Sequence, residues 1–171
     1  QVVCAELVNH IDPSFAGKTL IFAATDAHAD IVVDQLKKAY AAAGIPIEDA
    51  AVKKLTGSVD RVGALIRSFR NDANPKIAVT VDLLTTGIDV PSITNLVFLR
   101  RVNSRILYEQ MLGRGTRVIS ANDLSIVTHD APGKGRFVIV DAVGVTEQPK
   151  FDPQGLERKR SVPFAQLLQA V

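Results

Sequence analysis

Short apolar runs, too brief to be helices, recur along the chain at Thr19 to Ala24, Ile77 to Val81, Leu96 to Leu99 and Phe137 to Val140. Stretches with helical periodicity lie between most of them. A strand with few polar positions is one whose two faces are both covered, and such strands belong to parallel sheets whose crossover helices supply the cover. The pattern predicts an α/β fold with a mainly parallel central sheet between two helical layers, and places function at loops leaving the C-terminal ends of the strands.

The intervening segments read in the same way. Val2, Val3, Leu7 and Ile11 predict a short amphipathic helix stopped by Asp12-Pro13, beginning abruptly as a piece of a longer chain would. Thr25 or Asp26 suits the cap of an Ala- and Leu-rich helix running to about Ala43, with Gly44 as its stop and Pro46 beyond. Val52 to Leu55 predicts a strand, and Ser58 a cap for a helix whose apolar face is Val62, Leu65, Ile66 and Phe69. Asn71 to Pro75 reads as a turn, Arg105 to Leu112 as a helix, and Ser120 to Arg136 as a polar, turn-rich insertion. Beyond Gly144 the residues become linker-like, before a helical spacing of Phe164, Leu167, Leu168 and Val171. Three segments follow: a helix and linker over 1–17, one domain over 18–143, and a linker with an amphipathic helix over 144–171.

With 171 residues, 47% of them hydrophobic, the chain suffices for one core. No run approaches the roughly 18 apolar residues of a membrane span and no secretory signal is visible, so a soluble, cytoplasmic protein without membrane contact is expected. The single Cys4 excludes an internal disulfide and a Cys-rich zinc site, and reads as a buried apolar residue. A formal charge of +2 excludes a polycation, so any nucleic-acid contact must be local. Arginines do cluster locally, at positions 100, 101, 105, 114 and 117.

Two of those arginines belong to the string from Gln110 to Arg117, which sets one amide and two guanidiniums at about one-turn helical spacing. Guanidinium forks match phosphoryl oxygens, and a glutamine can orient a water beside them. Gly113 would let a backbone or ligand come close. Upstream, Leu83 to Pro91 is a loop with Gly87 and the carboxylate of Asp89, directly after an apolar strand.

On these residues the chain resembles the second RecA-like motor domain of superfamily-two helicases and translocases. Lys18 to Thr25 resembles that family's motif IV, Ile77 to Pro91 its motif V, and Gln110 to Arg117 its motif VI. The wording from Asn95 to Arg117, with Gly133 to Asp141, is most similar to the restriction subunit of type I restriction-modification enzymes. The resemblance implies a RecA-like three-layer domain with Arg117 as an arginine finger, Arg114 beside it and Gln110 at the phosphates or attacking water. It further implies that Gly87 and Asp89 face the nucleotide, Asp89 accepting from its ribose or from motif VI, and that Thr25, Thr56, Gly57 and Thr80 touch the DNA backbone. In many relatives a hydroxyl directly precedes the motif V aspartate, but here Val81 precedes Asp82.

ATP and Mg2+ would be bound mainly by a first RecA-like domain absent from this chain, since no complete phosphate-binding loop is present. Gly17-Lys18-Thr19 mimics the end of one but has Asp12 where a glycine is needed and precedes a strand instead of following it. Asp152 with Glu157 to Lys159 reads as a solvated linker, His28 as helix surface and His129 as loop, and no metal site is expected. The implied partners are double-stranded DNA, the first RecA-like domain and a nuclease domain of the same polypeptide, and modification and specificity subunits. Two other readings stay open: half of a DEAD-box or repair helicase, and a non-catalytic RecA-like assembly module.

Overall fold

The structure, a computed structural model, describes residues 2–13, 17–81, 89–128 and 133–151. Strand β1 (Lys18–Phe22) is buried at every position and lies in the middle of a sheet ordered β2-β3-β1-β4-β5, with β2 at Val52–Lys54, β3 at Ile77–Thr80, β4 at Ile93–Phe98 and β5 at Val138–Asp141. Among the described residues, all four strand pairings are parallel. The parallel sheet predicted from the apolar runs is therefore present.

Side chains alternate across the strands as the pleat requires. Ile21, Ala23, Ile77, Val79 and Val97 join the core beneath helix α1 (Val2–His10) and helix α2 (Asp26–Ala42). Leu20, Phe22, Ala78, Leu96 and Phe98 join the opposite core, against Phe69 of α3 (Val62–Asn71) and Met111 of α4 (Arg105–Gly115). Three layers result, with β1 feeding both cores.

Local details depart from the expected ones in several places. In α1 the buried face is Cys4, Leu7 and Val8, continued by Ile11, while Val2 is 84% exposed. Thr25 is the cap of α2, accepting from His28 N at 3.1 Å, and Gly44 follows the helix at φ +71. Ser58 does not cap α3; Arg61 occupies that place in the left-handed region and makes no side-chain cap bond. The expected loop after Ser120 contains helix α5 (Ala121–Val127), capped by Ser120 Oγ accepting from Asp123 N.

Residues on either side of the expected domain limits are packed. Tyr40 Oη donates to Ile11 O at 2.5 Å, fastening α1 to α2. Val145 is buried, and Phe151 exchanges backbone bonds with Asn103 and Arg105. The predicted helix of 161–171, with Asp152, Glu157 to Lys159 and His129, lies outside the described residues.

Lys18 is buried in the first position of β1, its ammonium donating to Asp72 O at 2.6 Å and Pro75 O at 2.7 Å and lying 5.1 Å above the Phe69 ring. It ties the centre of the sheet to the α3–β3 turn, a structural task. Burial first and the neighbouring Lys76 second pull its pKa down to about 7, against a smaller upward pull from Asp72. The unfolded chain therefore binds the extra proton between pH 7 and its ordinary 10.5, and stability should climb with pH there, by up to about 1.4 kcal/mol per unit. In Lys18→Met that climb should flatten, which urea unfolding at pH 7, 8.5 and 10 would measure; parallel slopes would contradict the assignment.

Candidate functional site

The expected site residues fall into two groups at opposite ends of the sheet. Thr25 and Thr56 follow β1 and β2, and Thr80 ends β3, so all three sit at the C-terminal edge. Here Asp26 is a hub. Its Oδ1 accepts from Thr56 Oγ1 at 2.5 Å and Ser58 Oγ at 2.7 Å, and its Oδ2 accepts from Lys54 Nζ at 2.9 Å. Lys54 also reaches Asp30, at 2.7 Å. The Thr56 bond, then Lys54 and Ser58, hold the Asp26 carboxyl down at about 2, so it is ionised at any physiological pH.

The threonines are not equally available. Thr25 is exposed but engaged as the cap of α2, Thr56 is mostly buried with its proton committed to Asp26, and Gly57 is exposed with open space around its Cα. Thr80 is fully buried, and its hydroxyl has no hydrogen-bond partner among the described residues. The structure thus places Thr25 and Gly57 at the surface and encloses Thr80, which is paired with the buried Phe22 of β1.

The second group lies toward the starts of β4 and β5, so the expectation that all motif loops sit at strand C-terminal ends fails for it. Asp89 comes shortly before β4, and Gly87 lies outside the described residues. Helix α4 begins with Ser104 as cap, its Oγ accepting from Leu107 N, and runs back along β4. That direction carries the end of the motif to the strand beginnings.

Gln110 and Arg114, four residues apart, share one side of α4, and Arg117 follows just past the end of the helix. Gln110 and Arg117 are exposed and Arg114 half-buried. Arg117 Nε lies 3.4 Å from Asp89 Oδ1, with 56% and 41% of the two side chains exposed. At that distance and exposure the pair is worth about 0–1 kcal/mol. The same Asp89 oxygen is itself enclosed and has no hydrogen-bond partner among the described residues, so it can accept from a further donor.

Close approach along α4 occurs at Gly115 and not at the expected Gly113. A Cβ at Gly115 would lie 2.6 Å from Phe137 Cδ2 and 2.9 Å from Leu96 Cδ1, whereas one at Gly113 meets nothing within 4 Å. Of the clustered arginines, Arg100 donates to Val81 O at 3.0 Å and Arg105 pairs with Glu109 at 2.9 Å along the helix.

Sequence reasoning passed over Lys134. Its Nζ donates to Arg117 O at 2.7 Å and Pro91 O at 2.9 Å, and its burial lowers its pKa to about 8. A lysine between two glycines at the entry to a parallel strand was the available signal. A groove of about 900 Å³ opens beside it, lined by His10, Asp12, Lys76 and Arg136 among others.

Residues 2–119 match the family described as the helicase conserved C-terminal domain. The chain belongs to that family. It is 51% identical over 122 residues to the EcoKI endonuclease subunit, a type I restriction enzyme subunit of Escherichia coli (strain K12), covering 69% of this chain and 10% of that protein. Against the EcoAI endonuclease subunit of Escherichia coli, also of a type I restriction enzyme, it is 30% identical over 141 residues, 76% of this chain and 15% of that one. The chain thus spans only a small part of the length of these relatives.

Solved structures agree on the fold. The C-terminal domain of the DEAD-box protein Dbp5 aligns over 90% of this chain and 69% of its own, at TM-score 0.53 and 20% identity. The C-terminal part of the Fun30 ATPase domain aligns over 82% of this chain and 39% of its own, at TM-score 0.53 and 19% identity. The helicase C-terminal domain described here is RecA-like, as the motif resemblance implied.

The contrast between the glycines of this helicase domain's motif VI gives a test. Gly115→Val should destabilise by about 1–3 kcal/mol through overpacking against Leu96 and Phe137, and Gly113→Ala should stabilise by up to about 1 kcal/mol through helix propensity. Denaturant midpoints of the two variants should move in opposite directions.

Proposed function

We propose that this domain is the second motor domain of an ATP-dependent DNA translocase, within the restriction subunit of a type I restriction endonuclease. The observation that carries the reading is Gln110 and half-buried Arg114 on one side of α4, with Arg117 just past its end beside Asp89, whose enclosed oxygen lacks a hydrogen-bond partner among the described residues. Its 51% identity to the EcoKI endonuclease subunit supports the choice among helicases.

In this reading Arg117 neutralises charge developing on the transferred phosphoryl group, Arg114 supports it, and Gln110 orients the attacking water or contacts the phosphates. Asp89 serves Arg117 or a ribose hydroxyl, with Gly87 close by in the sequence. Two guanidiniums, an amide and a carboxylate oxygen that makes no hydrogen bond among the described residues suit a nucleotide's phosphates and sugar. Mg2+ would be bound chiefly with ATP on a first RecA-like domain, since this chain carries no complete phosphate-binding loop.

DNA would meet the other edge, at Thr25, Thr56 and Gly57, through its sugar-phosphate backbone, which suits movement along any sequence. Contact by Thr80 would require its surroundings to open. The remaining partners in this reading are a nuclease domain in the same polypeptide and modification and specificity subunits, acting in the cytoplasm. This domain alone should then hydrolyse little ATP and cut no DNA.

The test is steady-state ATPase of the full-length protein with duplex DNA, RNA or no nucleic acid, for wild type and Arg117→Ala. A duplex-stimulated rate that falls about 100-fold or more while nucleotide binding persists is the expected result. Stimulation by RNA instead would move the domain to the DEAD-box class, and an indifferent variant would reduce motif VI to a solvated helix.

A further inference from the structure

Arg117 and Asp89 belong to different segments, and their side chains are too exposed for the ion pair between them to fix their spacing. The spacing must come from the backbone. Arg117 lies just past the end of α4, where helix carbonyls lack intrahelical partners and a cation is favoured. Pro91, two residues after Asp89, offers a carbonyl at the entry to β4. One ammonium group bridges both carbonyls, that of Lys134, at 2.7 and 2.9 Å.

We propose that Lys134 is a positioning residue for the motor reaction, a clamp that sets Arg117 at its working distance from Asp89 by holding the two segments through their carbonyls. The inference rests on the arginine-finger reading of Arg117. Lysine suits the task because its compact ammonium has three donors and can serve two carbonyls from different directions. Gly133, at φ +137, takes a backbone conformation that other residues rarely adopt, directly before the clamp. Phe137, on the same approach to β5, packs at Gly115, so α4 is held to this segment at two neighbouring points. Lys134 reaches no substrate in this account; it acts through Arg117.

The experiment uses the full-length protein with Lys134→Met, Lys134→Arg, Arg117→Ala and the Met/Ala double variant. Lys134→Met should lower the DNA-stimulated kcat by about tenfold or more with the KM for ATP within about twofold, and should add nothing to the loss in Arg117→Ala. Lys134→Arg should restore most of the rate. Hydrogen exchange should show faster deuterium uptake in peptides covering 113–119 for Lys134→Met and wild-type uptake for Lys134→Arg.

A kcat loss that multiplies with that of Arg117→Ala, or unchanged exchange at 113–119, would overturn the clamp. If Arg117→Ala itself keeps full activity, the finger reading fails, and exchange alone decides whether Lys134 orders Arg117. Should Lys134→Met not fold, Lys134→Leu, which also lacks a donor, takes its place with the same expectations.

Discussion

Strand β1 has a parallel partner along each edge and a hydrophobic core against each face, so its register governs every other element. Leu20 and Phe22 point one way and Ile21 the other, and the helices on both sides pack on neighbours of those same residues. A sheet anchored this way is hard to deform locally, because interiors are close-packed and displacement of one side chain is felt by the next. The two ends of the strands are consequently held at a fixed separation, with Asp26 and its donors at one end and Arg117, Asp89 and Lys134 at the other.

Such an arrangement suits a coupling element. Under the proposed function the nucleotide side and the DNA side communicate by moving the whole domain as a block against its neighbour, and not by bending the sheet between them. Gly115 contributes to this stiffness: without a side chain, α4 lies close against Leu96 and Phe137 and has little room to slide.

The strands were legible because double burial leaves a signature that needs no partner to be known: Leu20, Ile21 and Phe22 are apolar in succession. Helix ends set by local chemistry, Thr25 and Gly44, were legible too. The details that were missed depend on contacts distant in sequence. Ser58 has the composition of a cap but is claimed by Asp26, and Val2 and Val3 fit a helical stripe whose place is taken by Cys4 and Val8. Gly113 and Gly115 differ only in what lies opposite. In the site, the spacing of Gln110 and Arg114 fixes a common helix side, whereas the end of α4 before Arg117 and the contacts of Lys134 exist only once β5 is laid beside β4.

The hub at Asp26 has a consequence for grip. Thr56, Ser58 and Lys54 already face an oxyanion, so a DNA phosphate arriving at this edge would have to displace a carboxylate and not merely water. One anion is traded for another of similar appetite for the same donors, and the net gain per contact is small. Under the proposed function, a foothold of that kind would be quickly taken and quickly given up, and when the strand left, the carboxylate would be there to reclaim the donors, resetting the surface for the next phosphate.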